Sequence, residues 1–187
     1  MENFLSLLSK FPTTSDEAKA AFASHLEEFE VEKGFLLEKE GQVSKHLYFV
    51  AVGSARSYYL RENRDITVSF TLDEEFVTAM HSFITRKPSY ENIETMEKSK
   101  IFKISYDGLQ ACFLEHPELE RAYRMILEQY YIVLEEHQIF NKFKTARERY
   151  LELMQYRPKV IHKASVGQIA SFLDMTIETL SRIRAKI

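Results

Sequence analysis

The sequence of 187 residues has a single cysteine, Cys112, and few residues that interrupt regular structure: five glycines and four prolines. One cysteine excludes an intrachain disulfide and any cluster that needs several cysteine ligands. No uncharged run exceeds ten residues, whereas a helix that spans a bilayer needs about 20 apolar ones. The first residues carry no basic segment ahead of an apolar one, so we expect no secretion signal and a cytoplasmic protein without membrane partners.

Charge is unevenly distributed, although the formal net charge is only −3. Residues 1–143 hold 16 basic and 24 acidic side chains, whereas residues 144–187 hold nine basic and four acidic ones. An acidic body with a basic tail indicates that only the tail meets a polyanion. A chance cluster of charges on a solvated face is the alternative, so charge alone leaves nucleic acid binding open.

The first half of the chain is typical of an antiparallel sandwich or barrel, because short segments rich in β-branched and aromatic residues recur at near-regular spacing. These segments are residues 35–37, 47–52, 55–60, 66–72 and 99–104. Residues 12–29 differ, since they are rich in Ala and Glu and have helical periodicity.

A long helix is predicted from Pro117 to about Phe143, where no glycine or proline interrupts the chain. Its apolar side chains recur in alternating steps of four and three residues, the spacing of a coiled-coil seam. We therefore predict a homodimer interface that comprises Leu119, Tyr123, Ile126, Tyr130, Val133 and His137. A neighbouring stripe makes a second face apolar, so a single wide core face in a monomer is the alternative; the stripe is Leu127, Tyr131 and Leu134.

The basic tail contains three helix starts in quick succession. Capping boxes at residues 145–148 and 165–168 open the first two helices, a turn follows at Asp174, and Thr176 caps a last helix. Two helices about three residues apart, with small Ala170 at their approach, are typical of a helix-turn-helix.

The last helix has side chains that suit base recognition. The Arg182 guanidinium matches guanine O6 and N7, and the Glu178 carboxylate is an acceptor for cytosine N4. Thr176 and Thr179 are short donors near the helix N-terminus, which favours phosphate. The alternative, an ordinary surface helix with one Glu–Arg pair, is equally consistent with the periodicity.

The segment 170–184 resembles the helix-turn-helix of the Crp/Fnr superfamily of bacterial transcription regulators, and residues 146–151 match the opening of that DNA-binding domain. Five parts of the sequence are similar to the early strands of a cyclic nucleotide-binding β-roll: Lys33-Gly34, Glu40-Gly41, residues 47–50, Gly53 and Arg56. The resemblance spans nearly the whole chain, whose length and ending look most like members from Bacteroidetes bacteria.

This resemblance implies an α+β fold in three parts. An antiparallel β-roll or jelly roll fills residues 1–115 as the effector domain, a long dimerisation helix spans residues 116–143, and an all-α, winged-helix-like helix-turn-helix domain fills residues 144–187. Because the chain stops at Ile187, we expect it to lack a full wing. The implied function is a regulator, not an enzyme, that binds a palindromic site on double-stranded DNA as a homodimer. RNA polymerase is a further implied partner, with no residue pattern that identifies the contact.

Carried over by position, the DNA contacts come from six residues of the last helix. The two threonines anchor phosphates, and the glutamate, serine and arginine read bases or phosphates; the six are Thr176, Ile177, Glu178, Thr179, Ser181 and Arg182. Ile177 falls where many relatives carry arginine, so we expect it to contact a thymine methyl instead. Asp174 replaces the usual turn glycine and tolerates the left-handed conformation.

The effector pocket departs from the family pattern. Cyclic nucleotide binders resemble one another in a Gly-Glu pair that opens a short helix and in an arginine that neutralises the phosphate. Residues 76–91 contain no glycine, and no arginine follows Pro88 at the matching place. Burying a phosphate without its cation is strongly unfavourable, so we expect no tight binding of cAMP or cGMP. Another small-molecule effector stays an open alternative, and no cofactor is predicted. The candidate pocket residues are His81, Arg86 and Lys87, with solvated loop residues as the alternative.

Two other classes of protein remain open. A metal-binding β-roll of the cupin kind needs two or three histidines around one metal, and only His46 and His81 lie in the strand region. Haem sensing needs an axial ligand such as His46, His81 or His137, each of which stands alone, so we predict no metal site. The other class is a ligand-binding module without DNA binding, against which the basic tail argues.

Overall fold

Residues 14–62 and 64–187 are described by the computed structural model, apart from the side chains at 137, 140 and 141. The strands are β1 Glu27–Val31, β2 Leu36–Glu38, β3 His46–Val52, β4 Ala55–Arg61, β5 Arg64–Thr71, β6 Glu75–Val77, β7 Asn92–Thr95 and β8 Ser99–Ser105. The helices are α1 Asp16–Ser24, α2 Met80–Thr85, α3 Tyr106–Glu115, α4 Pro117–Phe143, α5 Ala146–Tyr156, α6 Pro158–Lys163, α7 Val166–Phe172 and α8 Ile177–Arg184. Below, the roll denotes β1–β8 with α2, and the tail denotes residues 144–187.

Two four-stranded antiparallel sheets form the roll, with strand orders β1-β8-β3-β6 and β2-β7-β4-β5. Strand β3 is buried on both faces: Tyr48 and Val50 pack between the sheets, while Leu47 and Phe49 pack against the helices. Burial on both faces explains why this strand is a continuous apolar run in the sequence. The expected antiparallel roll within an α+β fold is confirmed.

The helical periodicity of residues 12–29 was misleading at its end, because α1 stops at Ser24 and β1 begins at Glu27. In β1, the inward-facing Phe29 and Val31 alternate with exposed glutamates, which is the two-residue period of a strand. Those glutamates pair with lysines on or next to β8: Glu27–Lys103 at 2.9 Å, Glu28–Lys100 at 2.7 Å and Glu30–Lys98 at 3.4 Å. Pairing across strands thus outweighs the local helical pattern.

Helix α4 has two unlike halves. Near its start, Leu119 and Ala122 are almost fully buried, and Leu119 packs in one cluster with Cys112 of α3. Beyond Ile126 the helix exposes apolar side chains, among them Tyr131 and Val133. The first half therefore attaches the helix to its own roll. No helix of the described residues has both the length and the apolar character that crossing a bilayer requires.

The four helices of the tail pack on one another and on the roll. Their common cluster contains Val160, Ile169 and Leu180 from the tail and Phe70 and Leu72 from the roll. A fourth helix, α6, was not predicted; it begins with proline at its first position, where the missing N–H costs no hydrogen bond. Both predicted capping boxes are present.

Candidate functional site

The N-terminus of α8 is capped as predicted. The Thr176 hydroxyl accepts a hydrogen bond from the Thr179 N–H at 3.2 Å. On the inner side of the helix, Leu180 is fully buried and Ile183 is 9% exposed. Tertiary packing therefore fixes which face of α8 points outward.

The outer face of α8 carries most of the predicted DNA-contacting residues. Ile177 is 51% exposed, Glu178, Ser181 and Arg182 are also exposed, and Thr179 is half-buried. The Arg182 guanidinium donates a hydrogen bond to the Thr179 hydroxyl at 3.3 Å and takes part in no ion pair among the described residues. Its remaining N–H groups face solvent and are available to a base edge or a phosphate.

The turn between α7 and α8 depends on Asp174, which has a φ of 52°. The following N–H, of Met175, donates to the Ala170 carbonyl at 3.0 Å. A left-handed residue at this point matches the expectation that aspartate replaces the turn glycine. The two helices are thus joined by a short, hydrogen-bonded turn.

Several basic side chains of the tail point to the roll and not to solvent. Three of them pair with carboxylates there: Arg157 with Glu75 at 2.7 Å, Lys159 with Asp73 at 2.7 Å, and Lys163 with Glu97. These cations hold the tail against the roll. The positive charge of the tail is therefore only in part available to a polyanion, which corrects the simple charge argument.

A cavity of about 250 Å³ lies where β5 and β6 face α4. It adjoins a second cavity of about 510 Å³, which extends to Arg157 and Phe172 of the tail. The side chains shared by the two are mostly apolar: Val68, Ser69, Phe76, Ile126, Tyr130 and Leu134. The first cavity also has polar groups from Thr78 and Glu91. Together they form one apolar space that touches the roll, α4 and the tail.

None of the three predicted pocket residues lines either cavity. His81 lies against the Tyr90 ring, 4.9 Å between centroids, and Lys87 is exposed. Arg86 ends α2 in a left-handed conformation, and its guanidinium donates to the carbonyls of Ser44 and Phe83 at 2.8 and 2.9 Å. Arg86 therefore satisfies backbone groups and does not line the cavity.

Sequence reasoning missed Glu91 and the cavity role of Tyr130. Glu91 stands alone in a polar turn, where nothing in the local pattern distinguishes it from a solvated residue. Tyr130 was assigned to a dimer seam, in which a tyrosine packs imperfectly. This imperfect packing was the sequence signal that Tyr130 has a further role. Burial raises the pKa of the Glu91 carboxyl above its ordinary value.

The residues of the predicted seam take different positions. Leu119 is buried in its own roll, and Tyr123 packs against the same cluster, so neither is carried into the interface proposed below. Ile126 lines the cavity, whereas Tyr130 and Val133 are 49% and 60% exposed. The side chain of His137 lies outside the described residues. Among the described residues, no three His, Cys, Asp or Glu side chains are grouped to hold a metal ion.

Residues 28–116 match the family model of the cyclic nucleotide-binding domain. The match covers a little under half of the chain. No curated protein matches the sequence. The matched segment comprises the roll with α3, and the first cavity lies between this segment and α4.

Solved structures similar to the whole chain include two regulators with a TM-score of 0.71. A putative transcriptional regulator of the Crp/Fnr family from Eubacterium rectale is 16% identical, with 94% of this chain and 84% of that one covered. The c-di-GMP responsive global regulator CLP of Xanthomonas campestris is 18% identical, with coverages of 92% and 91%. FixK2 of Bradyrhizobium japonicum is 19% identical with a TM-score of 0.70 and coverages of 86% and 83%. The chain has the Crp/Fnr fold.

Proposed function

We propose that this protein is a homodimeric transcriptional regulator that reads a palindromic DNA site through α8. The observation that carries the proposal is the outer face of α8, where Arg182 is exposed and pairs with no acid of the described residues, while the inner face of the helix is packed. A helix of this kind fits the major groove, and its N-terminal residues reach base edges there. Thr176 and Thr179 lie where they contact phosphate, and Ile177 offers an apolar surface to a thymine methyl.

The second half of α4 supports a dimer. Tyr131, Val133 and Leu134 are 65%, 60% and 54% exposed, an unusual concentration of apolar surface for one short stretch of helix. A second copy of α4 packed in parallel covers these side chains together with Tyr130. We therefore shift the proposed interface to the stretch beyond Ile126.

The cavity supports regulation by a small molecule. Its walls come from the roll, α4 and the tail, so a bound molecule contacts the parts proposed to sense, to dimerise and to read DNA. A ligand that prefers one arrangement of these parts shifts the balance between them. We keep the expectation that cAMP is not that ligand, because Arg157, the arginine of the second cavity, is already paired with Glu75.

Selection of bound duplexes from a random-sequence library tests the proposal. We expect a palindrome with half-sites about 34 Å apart, one helical turn, and an affinity that falls steeply with added salt. Arg182→Ala is expected to cost about 1–3 kcal/mol of discrimination between the selected and random sequences, because it removes a guanine contact. Lys39→Ala, which removes an exposed cation of the roll, is the charge-matched control and is expected to keep full discrimination. A library that yields no enriched sequence at low salt, or equal discrimination by both variants, contradicts the proposal.

A further inference from the structure

The charged side chain that lines the first cavity is acidic, which is unexpected for a cavity of the kind that binds anionic cyclic nucleotides. Its lining combines apolar side chains with Glu91 and, among the residues that the structure describes, contains no basic side chain. Glu91 takes part in no ion pair among the described residues. A carboxylate partly removed from water without a cation is costly, and a bound cation lowers that cost.

A second carboxylate lies near Glu91. Glu38 is 6% exposed and accepts a hydrogen bond from the Ser44 hydroxyl at 2.6 Å, and the charge of Glu91 adds to burial in raising its pKa. The charge of Arg86 opposes this rise at Glu38, while its guanidinium donates to backbone carbonyls and lies over the Tyr106 ring, 4.1 Å from the centroid. Two carboxyl groups therefore lie at this end of the cavity, and Glu91 is the one that lines it.

The opposite wall is aromatic. Phe76 from β6 and Tyr130 from α4 line both cavities, and Tyr123 lines the first. Burial raises the pKa of the Tyr130 phenol most, the charge of Glu75 raises it further, Arg157 opposes this, and the charge of Glu91 adds the smallest contribution. Aromatic faces attract cations as well as apolar groups. The space therefore combines one anionic anchor with an apolar, aromatic body.

We propose that this cavity binds a small apolar molecule that carries a protonated amine, with the ammonium group on the Glu91 carboxylate and the apolar part against Phe76 and Tyr130. The inference rests on the proposed function only in treating the cavity as the effector site. The two adjoining volumes taken together lie in the range that small-molecule sites occupy, and an anionic cyclic nucleotide has the wrong charge for this anchor.

Three probes with one carbon skeleton and different charges test the proposal: 3-phenylpropylamine, 3-phenylpropan-1-ol and 3-phenylpropanoate. In isothermal titration of the full chain, we expect the amine to bind about tenfold or more tightly than the carboxylate, with the alcohol between them. Glu91→Gln keeps the shape of the side chain and removes its charge. It is expected to weaken binding of the amine about tenfold and to leave binding of the alcohol unchanged.

Glu40→Gln is the matched control, because Glu40 is exposed on the same roll and does not line the cavities. Equal affinities for the amine and the carboxylate, or an amine affinity that Glu91→Gln does not change, overturn the inference. A crystal structure of the amine complex with its nitrogen away from Glu91 does so too. The titration uses no DNA, so a failure of the DNA selection leaves its result intact, and the two proposals fail separately.

Discussion

The tail has two sets of side chains that the sequence alone does not tell apart, those turned toward the roll and those turned to solvent. Arg157, Lys159 and Lys163 pair with carboxylates of the roll. Arg182, on α8, pairs with none of the described acids. A net charge counted along the chain gives all four the same weight, although of these four only Arg182 is left for the DNA contact that we propose.

The difference shows that a basic segment in a multi-part protein has two uses. Cations that complement an acidic neighbour hold domains together, and cations left without a partner are available to a polyanion. Exposure and pairing, which only the folded structure provides, separate the two. Substitutions of inward-facing and outward-facing side chains test this distinction.

The largest expected effect comes from the two faces of α8. Leu180→Ala removes a fully buried side chain and is expected to lower the free energy of unfolding by about 2–5 kcal/mol. Ile177→Ala, on the exposed face, is expected to change stability by less than about 0.5 kcal/mol. Urea denaturation followed by circular dichroism measures both variants. A large loss of stability in the Ile177 variant means that its side chain is not on a free surface.

A smaller effect is expected at the ion pair between Arg157 and Glu75. Arg157→Ala is expected to lower the free energy of unfolding by about 1 kcal/mol or less, because both side chains are partly exposed. In contrast to Arg182→Ala, it is expected to leave discrimination between selected and random DNA unchanged. Fluorescence anisotropy of labelled duplexes measures this discrimination. If Arg157→Ala loses it, the inward-facing cations also contribute to DNA reading, and the distinction between inward-facing and outward-facing cations is wrong.

The smallest effect concerns the pH dependence of the Asp73–Lys159 pair. Burial acts to raise the pKa of Asp73, but hydrogen bonds from Lys159 and from the Gly53 N–H hold it below its ordinary value. A carboxyl whose pKa is lowered by folding adds stability above its unfolded pKa of about 4, and that stability is lost as the pH falls through the folded value.

Asp73→Asn therefore is expected to lose less stability than the wild type between about pH 5 and pH 3. Solvent screens the largely exposed Lys159 side chain, so the difference is expected to be small. Chemical denaturation at a series of pH values measures it. Equal losses in both proteins show that the pair does not contribute to attachment of the tail.

Much of the fold was predictable because its signals are local. Strands β3, β4, β5 and β8 fall on the predicted apolar segments, α4 has the predicted bounds, and the capping boxes and the Asp174 turn form as expected. Each of these depends on residues within a few positions of one another. Strand β1 was missed because its partner β8 lies about 70 residues away in the chain, and local periodicity does not report that pairing.

The cavity was not predictable for the same reason. Its walls come from β5, β6, α4 and the turn at Glu91, which only the fold brings together. The side chains chosen from the sequence, His81, Arg86 and Lys87, are polar residues of one local segment, and none of them lines either cavity. By contrast, the outward face of α8 was predictable, since a helix fixes its two faces by spacing alone.

The common cluster of roll and tail has a consequence for engineering. Phe70 of β5 lies against Phe172 of α7, with ring centroids 5.1 Å apart, and the Ser171 hydroxyl accepts a hydrogen bond from the Thr67 N–H. Truncating the chain after α4 would remove these contacts and expose β5, which lies at the edge of its sheet. An uncovered edge strand promotes aggregation. A chimaera that exchanges the tail must therefore include residues that cover β5 in the same way.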